Sequence, residues 1–178
     1  MNIFDNRIEM IKSWDNNKVI AEVGVFIGEF AGQIIQHCQP KELRLIDKWD
    51  GEACCGEAET GDNMIFINDM YSVYLGLLKK YENTNTFLHR GMSHIILSCF
   101  PDQYFDYIYI DGDHSYEGVR GDLDLGFKKV KRGGFICGHD YCVNFGGIKR
   151  AVDEFCKNNN LEICSLTKTV LSSYMVQI

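Results

Sequence analysis

Two carboxylates and an imidazole, Asp111, Asp113 and His114, stand together directly after the apolar run Tyr107-Ile-Tyr-Ile110. A histidine has an ordinary pKa of about 6.5, so it can take a proton from a hydroxyl near neutrality, and a carboxylate beside it can orient the ring and stabilise the imidazolium. The preceding run alternates aromatic and β-branched residues, as a strand covered on both faces does. Gly112 then lets the chain turn at once into a helix expected to reach about Val130. In open α/β sheets, ligands bind beyond the carboxyl ends of the strands, which is where such a turn presents its side chains. The plainer alternative is that Asp113 or Ser115 caps the helix.

A second polar strand end lies earlier. Lys18-Val-Ile-Ala-Glu-Val23 reads as a strand, Gly24-Val-Phe-Ile-Gly28 as a glycine loop, and Phe30, Ile34, Ile35 and Cys38 recur at helical spacing until Pro40. The loop departs from the dinucleotide fingerprint G-x-G-x-x-G. Phe26 stands where the second glycine would admit a pyrophosphate, and Glu22 would place negative charge beside that anion. An acidic strand end instead favours a nucleoside carrying an ammonium and a sulfonium and no phosphate, which describes S-adenosylmethionine. Asp47, ending the next strand about twenty residues beyond the loop, then suits ribose hydroxyls. Without Glu22 and Asp47, the Gly24 and Gly28 spacing would be explained as well by tight packing.

The elements that must position these groups follow in chain order. Ile8, Ile11 and Trp14 predict a short amphipathic helix, and Leu43 to Ile46 a strand ending at Asp47. Gly51 to Asn63 is acidic, glycine-rich and aperiodic, and is expected to be an irregular segment able to act as a lid or as a passive surface loop. Apolar residues from Met64 to Tyr81 match the helical template and predict one helix. Asn85 to Leu88 is expected as a strand, Ser93 to Cys99 as a helix, and Phe135 to Cys137 as a strand announced by Gly133-Gly134. Ile148, Val152, Phe155 and Cys156 share one face of a further helix. Leu161 to Cys164 and Ser172 to Gln177 close the chain as strands, the last expected to be antiparallel because its connection is short. Strands alternating with helices predict an α/β fold: a Rossmann-like, doubly wound, mostly parallel sheet of about seven strands with an antiparallel edge strand and helices on both faces.

Composition narrows the class. A chain of 178 residues with 46% hydrophobic and 24% charged residues suits one domain, residues 1–178, with a full core. The formal net charge of -7 and the absence of a basic run disfavour nucleic acid and anionic membranes as partners. No signal-peptide pattern opens the chain and no apolar run reaches membrane-spanning length, so a cytoplasmic protein is expected. Cys99, Cys137, Cys156 and Cys164 lie within apolar patterns and are expected as buried free thiols. Cys54-Cys55 does not match zinc-site spacing.

Residues 110–123 (IDGDHSYEGVRGDL) followed by 133–141 (GGFICGHDY) carry a resemblance that the glycine loop alone would not. Over nearly its whole length the chain resembles the class I S-adenosylmethionine-dependent methyltransferases, and more narrowly the macrocin-type sugar O-methyltransferases. The resemblance implies that Glu22, Gly24 and Phe26 line the methionine moiety and that Asp47 meets the ribose. It also implies that Gly91, Met92 and Ser93 lie beside adenine, that Asp111 and Asp140 are placed for a divalent cation, and that His114 is near the acceptor hydroxyl. Metal-dependent relatives carry two acidic or amide residues where this chain has His139-Asp140. A histidine there shifts preference from magnesium toward a softer metal such as manganese, or belongs to the turn alone. His37, His89 and His94 are read as surface or structural.

These readings set an expected mechanism: transfer of a methyl group to a hydroxyl of a small molecule, a sugar or glycan on the resemblance, with His114 as base and Asp111 or Asp113 orienting it. A cation on Asp111 and Asp140, with His139 as a third ligand, would lower the hydroxyl's pKa. Methylation of an amine would leave His114 without a purpose, and a non-catalytic nucleoside-binding domain would keep the fold alone. A homodimer is left open.

Overall fold

The structure is a computed structural model that describes residues 1–56 and 64–178. Its elements are strand β1 (Asn2–Phe4), helix α1 (Arg7–Ile11), β2 (Val19–Val23), α2 (Glu29–Cys38), β3 (Glu42–Asp47), β4 (Ala53–Gly56), β5 (Met64–Ile67), α3 (Met70–Lys80) and β6 (Thr86–Arg90). They continue with α4 (Ser93–Ser98), β7 (Phe105–Ile110), α5 (Tyr116–Lys129), β8 (Val130–Gly138), a 3-10 turn (Val143–Phe145), α6 (Gly146–Asn159), β9 (Ile163–Thr167) and β10 (Tyr174–Gln177).

Eight strands form one sheet in the order β1-β9-β10-β8-β7-β2-β3-β6. Only β10 runs against its neighbours, pairing antiparallel with both β8 and β9, while the other pairs are parallel. The doubly wound, mostly parallel sheet expected from the sequence is therefore present. Its eighth strand is β1, which pairs with β9 so that the reversed strand lies inside the last two strands. Three residues, the first two exposed and the third half-buried, carry too little hydrophobic pattern to announce β1.

The two faces bury separate cores. Helices α1, α2 and α3 cover one face through Met10, Ile11, Phe30, Ile34 and Leu77, packed on Ile20, Leu43, Leu45, Tyr107 and Tyr109. Helices α4, α5 and α6 cover the other through Leu97, Leu123, Val152 and Phe155, packed on Ala21, Val23, Ile46, Ile108 and Ile136. Each fully buried side chain of this size contributes about 1.5–3 kcal/mol of transfer free energy. Alternation along β2 sends Ile20 to the first face and Ala21 and Val23 to the second. Glu22, also buried, is thereby directed to the face of α1 and α2.

Two local expectations are corrected. Met64 to Ile67 belongs to strand β5, antiparallel to β4, and the helix begins only at Met70. Asp69 starts it, its carboxylate accepting the Tyr71 and Ser72 amides at 3.1 and 3.3 Å. That cap outweighs the helical spacing of the apolar residues before it. The expected irregular segment accordingly contains strand β4, tied down where the Met70 amide donates to the Gly51 carbonyl at 3.1 Å. The remainder of that proposed lid, residues 57–63, lies outside the described residues. Of the expected buried thiols, Cys137 and Cys156 are buried, Cys164 is half-buried and Cys99, at the end of α4, is exposed.

Candidate active site

The glycine turn after β2 is built against the end of β7. Gly24 has φ +84°, and a Cβ added there would lie 1.9 Å from the Asp111 carbonyl oxygen, so only glycine lets the two strand ends meet. Asp47, at the end of β3, closes the turn from the other side. Its Oδ2 accepts the amides of Val25 at 2.7 Å and Phe26 at 2.9 Å, and its Oδ1 accepts the Trp49 amide at 3.0 Å. The buried Trp49 indole donates to the Phe26 carbonyl at 2.9 Å, fixing a residue that sits at φ +52°. Gly28 caps α2, with its Cα facing Leu77 of α3. Asp47 thus has a role not anticipated from the sequence, since both its oxygens hold the turn's backbone.

Glu22 is the opposite case. It is 2% exposed, and its Oε2 has no hydrogen-bond partner. Burial pushes its carboxyl well above the usual range, and the charges of Asp111 and Asp47 add to that while Arg7 opposes it. Arg7, from α1, reaches into the same corner. Its Nη1 donates to Asp111 Oδ2 at 3.4 Å, and its guanidinium lies 4.7 Å from the centre of the Phe30 ring.

Four of the remaining groups converge at the ends of β7 and β8. His114 Nε2 lies 3.4 Å from Asp140 Oδ2 and 3.7 Å from Asp111 Oδ1. The Asp111 carboxylate beside the ring raises the His114 pKa, burial opposes the rise, and the charge of Asp140 reinforces it. His139 Nδ1 is 3.0 Å from Asp140 Oδ1 and 3.9 Å from Asp111 Oδ1. Asp140, at φ +59° and 3% exposed, and His139 are buried, yet Asp140 Oδ1 and His139 Nε2 lack hydrogen-bond partners. The Phe145 ring stands edge-on to His114, 5.4 Å between centres.

Asp113 lines the same recess but is engaged by backbone. Its Oδ1 accepts the Ser115 amide at 2.8 Å, a bond that holds its carboxyl below the usual range. Ser115 in turn caps α5 by accepting the Gly118 amide at 3.0 Å. The orienting role expected for Asp113 is therefore corrected: it shapes the start of α5 and acts on His114 only as a further negative charge. At the end of β6, the Gly91 amide donates to the Asp47 carbonyl at 2.9 Å, the exposed Met92 precedes α4, and Ser93 opens it. The Ser93 hydroxyl faces Asp122 of α5, a buried acid whose pKa burial raises.

A family model described as "Methyltransferase domain" matches residues 21–141, more than half of the chain. The chain belongs to this family, among the class I S-adenosylmethionine-dependent methyltransferases. A curated relative, an uncharacterized protein of Acanthamoeba polyphaga mimivirus, is 27% identical over 120 residues, 67% of this chain. The chain spans about half (50%) of that relative's length. Among solved structures, the O-methyltransferase NovP superposes with a TM-score of 0.68 at 18% identity, covering 96% of this chain and 78% of NovP. A Streptococcus mutans protein described as a methyltransferase and solved with SAH gives 0.66 at 12% identity, covering 96% and 94%. Identities this low speak for the fold. No helix among the described residues of this methyltransferase is long and apolar enough to cross a membrane.

The methyltransferase fold brings together what the sequence had scattered. Glu22, Gly24, Phe26 and Asp47 meet around one turn, and Asp111, Asp113, His114 and His139 line one recess with Ile148 and Tyr174, Asp140 standing beside both histidines. Sequence reasoning missed Arg7, Trp49 and Phe145. Arg7 left one usable signal, a cation at the first position of a helix, where the helix dipole disfavours it. For a divalent cation, ligand atoms of Asp111, His139 and Asp140 lie within 4.8 Å of one another. The unsatisfied Asp140 Oδ1, with His139 Nδ1 3.0 Å away, gives a donor set that would fit such an ion.

Proposed function

We propose that the chain transfers the methyl group of S-adenosylmethionine to a hydroxyl of a small molecule, a sugar or glycan hydroxyl being the class favoured by the resemblance of residues 110–141 to macrocin-type enzymes. The observation that carries the reading is His114, half-exposed at the end of β7 with Nε2 turned toward Asp111 and Asp140. With the proton on Nε2, the nitrogen facing the carboxylates, Nδ1 is left to accept a proton, the tautomer a neighbouring carboxylate favours.

The acceptor oxygen attacks the methyl carbon, the carbon–sulfur bond breaks with its electron pair passing to sulfur, and the hydroxyl proton passes to His114. Sulfonium becomes a neutral thioether, and the new imidazolium faces two carboxylates. Asp111 and Asp140 thus favour the protonated product of the step. Asp111, His139 and Asp140 would hold a divalent cation, which when bound supplies Lewis-acid lowering of the hydroxyl's pKa. Phe145 walls the acceptor side of the ring.

The test is a panel of hydroxyl and amine acceptors with labelled S-adenosylmethionine, run with wild type and His114→Ala, each with and without chelator. The expected result is a methylated hydroxyl, turnover lower in the variant by about 10²- to 10⁴-fold, and unchanged cofactor affinity. Methylation confined to amines, or a variant as fast as wild type, would overturn the O-methyl reading with His114 as base.

A further inference from the structure

The recess at the ends of β7 and β8 has a wall to which methyl transfer assigns no part. Tyr174 opens β10, the strand that runs against its neighbours, and pairs there with Gly138 of β8. Its phenol passes close over that glycine. A Cβ added at position 138 would lie 2.5 Å from the Tyr174 hydroxyl oxygen, so the missing side chain makes room for the ring. Tyr174 thereby reaches the recess that Asp113, His114, Val119, His139 and Ile148 also line.

Tyr174 is 1% exposed, and its hydroxyl has no hydrogen-bond partner among the described residues. The buried Tyr109 differs, its hydroxyl lying 2.9 Å from the Ser173 hydroxyl. A phenol sealed in the core without a partner is costly where a phenylalanine would pack as well. His139 brings a second such atom to the recess. Its Nε2 is buried and unpartnered, while its Nδ1 faces the carboxylates, 3.0 Å from Asp140 Oδ1 and 3.9 Å from Asp111 Oδ1. The recess has a volume of about 10 Å³, the room that one water needs. A buried water takes about 2–4 polar partners, and the Tyr174 hydroxyl and His139 Nε2 supply two.

We propose that Tyr174 is a positioning residue for His139: one water in the recess accepts the Nε2 proton of His139 and donates to the Tyr174 hydroxyl, so that the Nδ1 lone pair is turned toward Asp111 and Asp140. Nδ1 and Asp140 Oδ1, 3.0 Å apart, are then two acceptors with no proton between them, an arrangement that suits a cation and not a hydrogen bond. A histidine that ligates through one nitrogen is held in tautomer and direction by the partner of the other. The link from Tyr174 to the tautomer concerns this chain alone. Its consequence for a cation rests on the reading of Asp111, His139 and Asp140 as ligands.

The test is heteronuclear NMR of the His139 ring nitrogens in metal-free wild type and Tyr174→Phe at about pH 8, above the ordinary histidine pKa, with calorimetric titration of each protein by Mn²⁺. The wild-type ring should carry its proton on Nε2, and a long-lived water should show cross-relaxation with the Tyr174 ring. The variant, which keeps the ring over Gly138 and loses the hydroxyl, should shift toward the Nδ1–H tautomer and bind Mn²⁺ about 10- to 100-fold more weakly. A proton on Nδ1 in wild type, or the same tautomer in both proteins, would overturn the proposal, since a purely packing role for Tyr174 leaves the tautomer where it was. If the tautomer shifts but Mn²⁺ binds neither protein, the cation reading falls and the role of Tyr174 stands. Thermal melting shows whether the variant is folded. Should it not fold, the wild-type ring decides, and the lack of either the Nε2 proton or the water beside Tyr174 overturns the proposal.

Discussion

The glycine turns after β2 and after β7 are each attended by two acids, and in each place the acids divide in the same way. Beside the first, Asp47 gives both oxygens to backbone amides of the turn and of Trp49, while Glu22 is left buried with an oxygen unpaired. Beside the second, Asp113 gives an oxygen to the Ser115 amide, while among the described residues the Asp111 carboxylate meets the side chains of Arg7, His114 and His139. One acid of each pair holds a loop shape and the other is left unengaged by backbone amides. Backbone amides are obligatory donors and must find acceptors in the folded chain. An acid they engage is a structural part. A buried acid they leave alone is a cost that a ligand can offset.

The contrast can be broken most forcefully at Asp47. Asp47→Ala removes the acceptor of three amides, and should destabilise the fold by about 2–4 kcal/mol, read as a lowered denaturant midpoint at constant m-value. If stability were unchanged and only cofactor affinity fell, Asp47 would be a ribose ligand rather than the clasp of the turn.

Glu22→Gln should act in the opposite sense on stability. The folded-state pKa of Glu22 is raised by burial above its ordinary value of 4.5, so below about pH 4 folded and unfolded chains both hold the proton and the residue makes no difference. As pH rises past the unfolded value, the unfolded chain releases its proton while the folded chain keeps it, and stability declines until the folded value is passed. The neutral variant escapes that loss. Its melting temperature should match wild type at about pH 4 and exceed it toward neutrality, while its affinity for S-adenosylmethionine falls about 10- to 100-fold through loss of the negative charge facing the cofactor's ammonium. A variant melting below wild type at neutral pH would place Glu22 among the structural acids.

The smallest effect belongs to Asp113. Replacement by alanine should cost about 1 kcal/mol, the ordinary net worth of its hydrogen bond with the Ser115 amide, and leave turnover within about threefold of wild type. A loss of turnover comparable to that of His114→Ala would return Asp113 to the catalytic group.

The sequence by itself determined which residues stand at strand ends. Strand, glycine turn and helix are written in adjacent residues, so Glu22, Asp47, Asp111, His114 and His139-Asp140 were legible as candidates, and so was the doubly wound sheet that gathers them. Where local patterns competed, the reading failed: Met64 to Ile67 carries helical spacing but pairs as a strand with Ala53 to Gly56, because strand pairing is decided by a distant partner. Only the tertiary structure decided which acids are consumed. Asp47 and Asp113 are indistinguishable from Glu22 and Asp111 as letters, and they part company only when the amides of Val25, Phe26 and Ser115 arrive within 2.7 to 2.9 Å. Arg7 shows the same limit, since 104 residues separate it from Asp111 and its place at the start of a helix does not say which acid it meets. Hydrogen bonds and ion pairs act over a few ångströms of space whatever their separation along the chain, so their allotment waits on the fold that local patterning builds.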